Sequence, residues 1–332
     1  MSRPAPIALS IETRRWAMAE PFAISRETKT ETESLVVTLT DAAGRRGRGE
    51  GYGVTYAGET LAGMAAQIEA AWPAIAAGAD REALLEQLPP GGARCALDAA
   101  LWDLEAKQTG RSVFDLAGVA APGPVDSAYT IGIRPPEAYE AAARRRAGFK
   151  VLKIKVDAAD PLAAIAAARR GAPDPAFIVD PNQAWSVETL KALAPRLAGL
   201  GVVLLEQPIP VGHEADLDGY ACPVRLCADE LINHAADLPR ARGRFDVVNI
   251  KLDKAGGLTG ALRLAKAARA EGFGLMVGCM GGSSLAMAPA LVLAQQCDFV
   301  DLDGPLLLAH DWPDGLTYRD GRVAPADPAF WG

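Results

Sequence analysis

Val151-Leu-Lys-Ile-Lys155 is the first of five short apolar segments that each end in a charged residue. The other four follow in order: Phe177-Ile-Val-Asp180, Val202-Val-Leu-Leu-Glu206, Val224-Arg-Leu-Cys-Ala-Asp229 and Val247-Val-Asn-Ile-Lys251. Successive charged ends lie 22 to 26 residues apart, which is about one strand plus one crossover helix. The repeat predicts parallel strands closed into a barrel, with the charged ends on the rim where that architecture carries its active site.

Three carboxylates, Asp180, Glu206 and Asp229, are expected to converge on that rim. Any one Asp could instead cap the helix that follows it. This alternative does not suit Glu206, because Glu is not a favoured cap and Gln207-Pro208 follows at once. Three acidic residues on successive strands form a site for a hard cation with positions left for water and substrate, and Mg²⁺ fits this ligand set best.

Two lysines complete the predicted site. Lys153 and Lys155 alternate with Leu152 and Ile154, so both face the same side of their strand, although a solvated strand end stays open for Lys153. Lys155 and Lys251 are four strands apart, which places them on opposite sides of an eight-stranded barrel mouth. Two ammonium groups beside a dication lower each other's pKa, so that one can be a neutral base and the other a proton donor. Such a pair suits removal and return of a proton at one carbon.

Five motifs in register resemble the enolase superfamily, and within it the muconate-lactonizing-enzyme-like subgroup. They are Lys153-Ile-Lys155, Asp180-Pro-Asn182, Glu206-Gln-Pro208, Ala228-Asp-Glu230 and Lys251-Leu-Asp-Lys-Ala-Gly-Gly257. Each motif is weak alone, but five in register are a strong signal, and the resemblance covers nearly the whole chain. A lysine base and Mg²⁺ are established properties of that superfamily, so this part of the interpretation is not independent of the resemblance.

The mechanistic hypothesis is proton abstraction next to a carboxylate. Its product is a dianionic enediolate, whose charge a divalent cation on both carboxylate oxygens would offset. The expected roles are Asp180, Glu206 and Asp229 as ligands of one Mg²⁺ per subunit, Lys155 and Lys251 as the bases that exchange the α-proton, Lys153 on the substrate carboxylate, and Asn182 as the residue that orients the first metal ligand.

The rest of the chain predicts an α/β fold in two parts. Residues 7–50 read as strands and 59–118 as helices, with the clearest apolar stripe at 93–107. From Val125 onward the pattern becomes βα units. Besides the five segments, the predicted strands are 125–131, 274–278 and 299–303, and the predicted helices are 136–146, 161–170, 186–198 and 257–270. We expect a modified TIM barrel, (β/α)7β, with right-handed closure.

The resemblance also implies a domain organisation. An α+β capping domain would span residues 1–118 and the (β/α)7β barrel residues 119–310. The C-terminal segment 311–332 would return to the capping domain and complete it. In that family the capping domain lies over the barrel mouth, which would place residues 25–30 and 52–56 over the substrate.

Composition excludes several classes of protein. The 332-residue chain is 50% hydrophobic and 23% charged, so it can bury a large core. A net charge of -7 argues against a nucleic-acid surface. No apolar run reaches the roughly 18 residues that cross a bilayer, and Met1-Ser-Arg-Pro-Ala-Pro lacks a signal-peptide core. We therefore expect a cytoplasmic protein with no membrane partner; a homo-oligomer is compatible with the sequence.

The substrate prediction depends on Asp301-Leu-Asp303. These two carboxylates lie on the same side of the eighth strand end and suit a cationic ligand group, although a pair facing water is the alternative. An Asp-x-Asp at this place resembles the dipeptide epimerases of the subgroup, in which the pair holds the substrate's free α-ammonium. The implied reaction is epimerisation at the C-terminal residue of a dipeptide.

Arg26 gives the next indication about the substrate. Pro21-Phe-Ala-Ile-Ser-Arg26 resembles the capping-loop segment in which L-Ala-D/L-Glu epimerases place an arginine against the glutamate side chain, although a solvated arginine is the ordinary alternative. The implied substrate is Ala-Glu, a peptidoglycan fragment. Thr130 is a further candidate for the pocket wall, and Cys279-Met-Gly-Gly-Ser-Ser284 has no assigned role.

Other functions remain as alternatives at this stage. Within the superfamily they are cycloisomerase, o-succinylbenzoate synthase, N-acylamino acid racemase, or an epimerase of a different dipeptide. None of the first three uses a substrate with a free α-ammonium, so Asp301 and Asp303 discriminate against them. Outside it, a Schiff-base aldolase also has a rim lysine, and a non-catalytic binding barrel would need no paired bases.

Overall fold

The computed structural model describes residues 4–24, 27–119 and 122–332. Its opening third is a three-stranded antiparallel sheet, in the order β1-β2-β3, packed against helices. We call this unit the cap; its elements are β1 (Pro6–Ala23), β2 (Thr28–Asp41), β3 (Arg46–Gly51), α1 (Leu61–Ala76), α2 (Arg81–Gln87), α3 (Gly92–Thr109) and α4 (Val113–Leu116). A Cβ at Gly47 or Gly49 would collide with the backbone of α3, so these glycines allow the helix to lie directly on the sheet.

Eight parallel strands form the second unit, and their spatial order is their order in the chain. They are β5 (Tyr129–Ile131), β6 (Val151–Lys155), β7 (Ala176–Asp180), β8 (Val202–Glu206), β9 (Arg225–Ala228), β10 (Val247–Lys251), β11 (Gly274–Gly278) and β12 (Phe299–Val300). The amide of Ala128, just before β5, donates to the carbonyl of Val300 at 2.8 Å. This bond joins the first strand to the last, and the predicted modified TIM barrel is confirmed.

Helices connect the strands on the outside of the barrel. In chain order they are α5 (Pro136–Arg144), α6 (Pro161–Gly171), α7 (Val187–Gly199), α8 (Leu238–Ala241), α9 (Leu252–Ala255), α10 (Leu258–Ala270), α11 (Ser284–Ala294) and α12 (Gly304–Leu307). Between β8 and β9 the described chain has only a 3-10 helix at Glu214–Leu217. No helix in the described ranges combines the length and apolar character needed to cross a bilayer.

Side chains inside the barrel form two layers. The lower layer is an apolar cluster made of Ala128, Ile178, Leu204, Cys227, Val247 and Met276. Because strand side chains alternate, the residues two positions further along face the same interior. Most of those residues are polar or charged: Thr130, Asp180, Glu206, Asp229 and Asn249. Because of the two-residue alternation, a buried polar layer lies above the apolar layer, towards the C-terminal ends of the strands.

Two strands differ from the sequence prediction. Residues 125–131 are divided into β4 (Val125–Asp126) and β5, because the amide of Ser127 bonds to Gly321 of the C-terminal segment at 2.9 Å before the chain enters the barrel. Residues 299–303 are a strand only at Phe299–Val300. The strand ends there because the amide of Leu302 donates to Ser127 Oγ at 2.9 Å and not to a neighbouring strand.

The C-terminal segment links both units. Its strands β13 (Tyr318–Arg319) and β14 (Arg322–Val323) form a small antiparallel sheet with β4. Arg48 of the cap donates to the carbonyl of Phe330 at 2.6 Å, and Trp331 Nε1 donates to the carbonyl of Arg48 at 2.9 Å. The C-terminal segment thus contacts both β4, just before the first barrel strand, and the cap.

Candidate active site

The charged strand ends meet in a buried cluster inside the barrel mouth. Lys155, Asp180, Glu206 and Lys251 are the last residues of β6, β7, β8 and β10, and Asp229 directly follows β9. The three carboxylates are at most 1% exposed, and both lysines are also buried. The structure therefore brings together the residues that strand spacing placed on one rim.

Lys153 lies at the centre of the cluster. Its Nζ is 2.7 Å from Glu206 Oε2, 2.8 Å from Asp301 Oδ2 and 3.1 Å from Asp180 Oδ2. Burial opposes the charge, but the three carboxylates outweigh it and raise the pKa of Lys153 well above its usual value. At 2% exposure the alternative of a solvated strand end is excluded, and the surrounding carboxylates favour the ammonium form of Lys153.

Lys155 contacts the first predicted metal ligand. Its Nζ lies 2.5 Å from Asp180 Oδ2 and 2.8 Å from Asn182 Oδ1, while the Asn182 amide donates to Asp180 Oδ1 at 2.8 Å. Asn182 therefore fixes the Asp180 carboxylate through its backbone. Burial alone would raise the pKa of Asp180, but Lys155 and Lys153 lower it to about 2. Tyr139 Oη donates to the Lys155 carbonyl at 2.7 Å and anchors the strand end.

Asp229 lies between two lysines. Lys251 Nζ is 2.7 Å from its Oδ2, and Lys254 Nζ is 2.7 Å from its Oδ1. Lys254 also donates to the carbonyls of Ile232 at 3.0 Å and Asn249 at 3.2 Å. Despite burial, the two ammonium groups hold the pKa of Asp229 well below its usual value, so Asp229 is a carboxylate.

The carboxylates around Lys251 act on its pKa in the opposite direction to the expected dication. Burial lowers its pKa, but Asp229 and Glu206 outweigh burial and raise it. The protein's own charges therefore hold Lys251 as an ammonium group. A neutral base at this position requires a positive charge that competes for Asp229.

Glu206 is the least stabilised carboxylate of the three. Its Oε1 accepts from Asn249 Nδ2 at 2.9 Å. Its Oε2 is 2.7 Å from Lys153 Nζ, but the angles do not meet those of a hydrogen bond. The two groups therefore form an ion pair, and Oε2 accepts no hydrogen bond. Burial and the neighbouring Asp180 raise the pKa of Glu206 to about 8.

Ammonium groups lie against every predicted metal ligand. The closest pairs are Lys155 on Asp180 at 2.5 Å, Lys153 on Glu206 at 2.7 Å and Lys251 on Asp229 at 2.7 Å. In this arrangement no group of three or more His, Cys, Asp or Glu in the described chain is placed to hold a metal ion. The donor chemistry nevertheless fits Mg²⁺, because three buried carboxylates include one oxygen without a donor, and a dication would compete with the ammonium groups for these oxygens.

Asp301 and Asp303 lie beside the same cluster, just after β12. Lys153 contacts Asp301 Oδ2 at 2.8 Å, and Thr130 Oγ1 donates to Asp301 Oδ1 at 3.4 Å. The amide of Thr130 donates to Asp303 Oδ2 at 2.5 Å. Burial and Asp301 raise the pKa of Asp303 to about 7. Lys153 forms an ion pair with Asp301, whereas Asp303 forms no ion pair with a lysine in the described part of the chain.

A cavity of about 410 Å³ lies between the barrel mouth and the cap. From the barrel it is lined by Thr130, Lys153, Lys155, Asn182, Glu230, Lys251, Asp301 and Asp303. From the cap it is lined by Phe22, Ile24, Glu27, Lys29, Thr32, Thr55 and Tyr56. The lysines reach this cavity, whereas Asp180, Glu206 and Asp229 lie behind them. Arg26 is outside the described residues, and its place relative to the cavity is therefore not assigned.

Two residues of the cluster were not identified from the sequence. Lys254 is 2% exposed and lies one helical turn after Lys251, within a motif that had already been singled out. Asn249 is two positions before Lys251, so the strand alternation that identified the lysines could also have identified its inward direction. The sequence features that could have identified Lys254 and Asn249 are therefore the strand alternation and the closeness to Lys251 along the chain; neither residue type is distinctive by itself.

Comparison with known proteins identifies two family matches. The model described as "Mandelate racemase / muconate lactonizing enzyme, N-terminal domain" matches residues 7–118. The model described as "Enolase C-terminal domain-like" matches residues 137–328. Together they cover most of the cap and of the barrel.

Two curated relatives are similar over most of their length. An L-Ala-D/L-Glu epimerase of Escherichia coli (strain K12) is 42% identical over 310 residues, which are 93% of this chain and 96% of the relative. An N-acetyl-D-glutamate racemase of a Pseudoalteromonas species is 45% identical over 249 residues, which are 75% of this chain and 79% of the relative.

Two solved structures share the fold. An enolase family member from Agrobacterium tumefaciens, described with bound sodium and L-Ala-L-Glu, aligns with a TM-score of 0.95 and 42% identity over 98% of this chain and 99% of its own. A dipeptide epimerase from Methylococcus capsulatus, complexed with Mg and the dipeptide L-Arg-D-Lys, aligns with a TM-score of 0.87 and 31% identity over 97% and 98% of the two chains.

Proposed function

The chain belongs to the enolase superfamily, in its mandelate racemase and muconate lactonizing enzyme group, and we propose that it is a Mg²⁺-dependent dipeptide epimerase. It is an isomerase that acts on amino acid derivatives. The proposed reaction inverts the α-carbon of the C-terminal residue by proton removal and return. The proposed substrate is L-Ala-D/L-Glu derived from peptidoglycan.

One observation carries this proposal: two lysines from distant strands and two carboxylates line the same cavity. Lys155 ends β6 and Lys251 ends β10, and both reach the cavity beneath the cap. Asp301 and Asp303 line it as well. Paired bases suit inversion at one carbon, and paired anions suit the free α-ammonium that a dipeptide carries.

The proposed metal ligands are Asp180, Glu206 and Asp229. Complexes of relatives with Mg support this cofactor, as does the buried Glu206 oxygen that has no donor. When bound, Mg²⁺ would neutralise the negative charge that develops on the substrate carboxylate. Asn182 holds Asp180 through its backbone amide, and Asn249 holds Glu206 through its side chain, so both would orient the ligands.

The lysines have separate proposed tasks. Lys155 Nζ and Lys251 Nζ would act on opposite faces of the α-carbon: the lysine that faces the α-hydrogen of one configuration would remove that proton, and the ammonium group of the other lysine would donate a proton to the opposite face. Lys153 would remain an ammonium group and attract the substrate carboxylate, because its surrounding carboxylates raise its pKa. Lys251 is released for proton transfer only when its contact with Asp229 weakens, which links its function to the occupancy of the carboxylate site.

A substrate with a glutamate side chain is supported by the cap. Lys29 lines the cavity wall and forms an ion pair with Glu27 at 3.0 Å. Arg26, predicted from the sequence to contact that side chain, lies outside the described residues, so its proposed role rests on the sequence resemblance alone. A relative in complex with L-Ala-L-Glu aligns over 98% of this chain.

Racemisation of an N-acylated glutamate is the second candidate. It is favoured by the 45% identity with an N-acetyl-D-glutamate racemase. An acylated nitrogen carries no charge and gains little from two carboxylates. Since Lys153 already pairs with Asp301, the charge on Asp303 is the feature that distinguishes the two substrates.

A substrate panel with an Asp303→Asn variant tests the proposed function. We expect wild-type enzyme with Mg²⁺ to invert L-Ala-L-Glu with a higher kcat/KM than N-acetyl-L-glutamate. In Asp303→Asn, kcat/KM for the dipeptide should fall by roughly 10- to 100-fold because a charge-assisted hydrogen bond is lost. The value for N-acetyl-L-glutamate should change much less. Faster turnover of N-acetyl-L-glutamate by wild-type enzyme would contradict the proposal.

The pKa of Asp303 predicts the pH profile. Because that pKa is raised to about 7, Asp303 is neutral at lower pH and a carboxylate at higher pH. The substrate ammonium needs the carboxylate, so kcat/KM for L-Ala-L-Glu should rise with pH through about 7. The profile should be recorded at saturating Mg²⁺, which keeps Glu206 ionised. Asp303→Asn is the control, and its kcat/KM should not show this rise with pH. If the rise persists in the variant, it results from the titration of another group.

A further inference from the structure

A chain of buried hydrogen bonds ties the cap to the loop between β11 and α11. Trp16 Nε1 donates to Ser34 Oγ at 3.1 Å, and Ser34 Oγ donates to Glu50 Oε1 at 2.6 Å. From the opposite side, Trp312 Nε1 donates to Ser283 Oγ at 2.8 Å, and Ser283 Oγ donates to Glu50 Oε2. Glu50 is therefore the point where the cap and the loop meet.

The direction of these bonds identifies Glu50 as the acceptor on both sides. An indole N–H can only donate, so each serine hydroxyl accepts from a tryptophan and gives its single proton to Glu50. Ser34, Glu50 and Ser283 are each at most 1% exposed. Among the ion pairs of residues 4–24, 27–119 and 122–332, none includes Glu50. A buried carboxyl group without a cation costs stability, and an apolar side chain could fill the same space, so packing alone does not account for it.

The loop that Glu50 holds is a wall of the substrate cavity. Cys279, Met280, Gly281 and Gly282 all line the cavity. Gly281 and Gly282 have φ values of +118° and +126°, which only glycine adopts readily. A Cβ at Gly304, the residue after Asp303, would lie 2.6 Å from the Gly282 carbonyl, so the loop packs directly against the Asp301–Asp303 segment.

We propose that Glu50 is a positioning residue that, through Ser283, fixes the 279–282 wall at the distance the dipeptide requires. The substrate named here rests on the proposed function. The hydrogen bonds themselves do not depend on it. Glu50 touches neither the lysines nor the carboxylates of the cluster, so its loss should weaken substrate binding and leave proton transfer intact.

Two conservative variants, Ser283→Ala and Glu50→Gln, test this proposal. The first removes the donor, and the second replaces one acceptor oxygen with an N–H group that cannot accept from a serine. In both we expect KM for L-Ala-L-Glu to rise by roughly 3- to 10-fold, with kcat within about twofold, because the bond between Ser283 and Glu50 is lost. Ser283→Ala also removes the acceptor of the Trp312 Nε1 and Leu285 amide hydrogen bonds, whereas Glu50→Gln leaves both in place. Backbone amide exchange in residues 281–285 should become on the order of 10-fold faster by mass spectrometry.

Thr259→Val is the matched control. Thr259 Oγ1 donates to Asp98 Oδ1 at 2.5 Å, which is also a buried contact between cap and barrel, but neither residue lines the cavity. This variant should lower Tm while KM and the exchange of residues 281–285 stay unchanged. Ser34→Ala, which leaves the bond between Glu50 and Ser283 in place, should give a smaller effect of the same sign and serves if a primary variant folds poorly.

The outcomes separate this inference from the proposed function. Unchanged exchange at 281–285 in both primary variants overturns the positioning role, whatever the substrate is. An equal rise of KM in Thr259→Val also overturns it, because the effect would then be general destabilisation. If wild-type enzyme inverts no dipeptide, the proposed function fails, while the exchange measurement still decides the role of Glu50.

Discussion

Replacing Lys251 with Met should reduce the epimerisation of L-Ala-L-Glu by at least about 10³-fold, within the range that general acid–base groups supply. Inversion requires a proton to leave one face and return to the other, so loss of either lysine breaks the sequence. Lys251 is buried, and its Nζ contacts Asp229 at 2.7 Å. Methionine has a similar volume and no ammonium group, so Mg²⁺ affinity should be retained or increased, because one competitor for Asp229 is gone.

Polarimetry for turnover and calorimetric titration for Mg²⁺ would measure the two effects separately. Lys155→Met should give a comparable loss of turnover. Lys266→Met is the control, because Lys266 is an exposed residue of α10 far from the strand ends, and its kinetics should match wild type. Turnover of Lys251→Met within 10-fold of wild type would remove Lys251 from the mechanism.

Replacing Glu206 with Gln should weaken Mg²⁺ binding by roughly 100-fold or more and remove activity with it, because a ligand charge is lost from a closed site. Folding should be little affected at pH 7 without Mg²⁺. Burial and Asp180 raise the pKa of Glu206, so the fold disfavours its charged form, and replacing that charge with a neutral Gln should cost little stability. Wild-type Tm should rise with added Mg²⁺ and fall with a chelator, whereas the variant should show no such shift.

Glu214→Gln is the control for this experiment. Glu214 is 6% exposed and pairs with Arg240 at 2.6 Å, so it is another buried carboxylate, but it belongs to the connection after β8 and not to the strand ends. We expect it to lower Tm without changing the response to Mg²⁺. A normal Mg²⁺ response in Glu206→Gln would exclude Glu206 as a ligand.

The repeat of strand ends made much of the barrel predictable. A period of two within each segment and one strand–helix unit between segments determine which side chains face the interior and at which level. Asp180, Glu206 and Asp229 lie two positions beyond the apolar layer formed by Ile178, Leu204 and Cys227, so their convergence follows from local pattern alone.

Features that depend on distant partners were not predictable in this way. The break between β4 and β5 exists because Ser127 bonds to Gly321, nearly 200 residues later in the chain. The raised pKa of Lys251 depends on the carboxylates that surround it in space. Glu50 gives no local signal, because its partners Ser34 and Ser283 come from different units of the fold. The sequence shows which residues lie on each strand. It does not show which side chains from other strands lie next to them and shift their pKa.

Isotope exchange by the two single-lysine variants tests the central claim most directly. L-Ala-L-Glu and L-Ala-D-Glu would each be incubated in D₂O with Mg²⁺ and either Lys155→Met or Lys251→Met, and loss of the glutamate α-proton signal followed by NMR. If the two lysines act on opposite faces of one carbon, each variant should exchange the proton of one diastereomer only, and the two variants should select opposite diastereomers. Exchange of the same diastereomer by both variants, or of both by either one, would contradict the two-base arrangement.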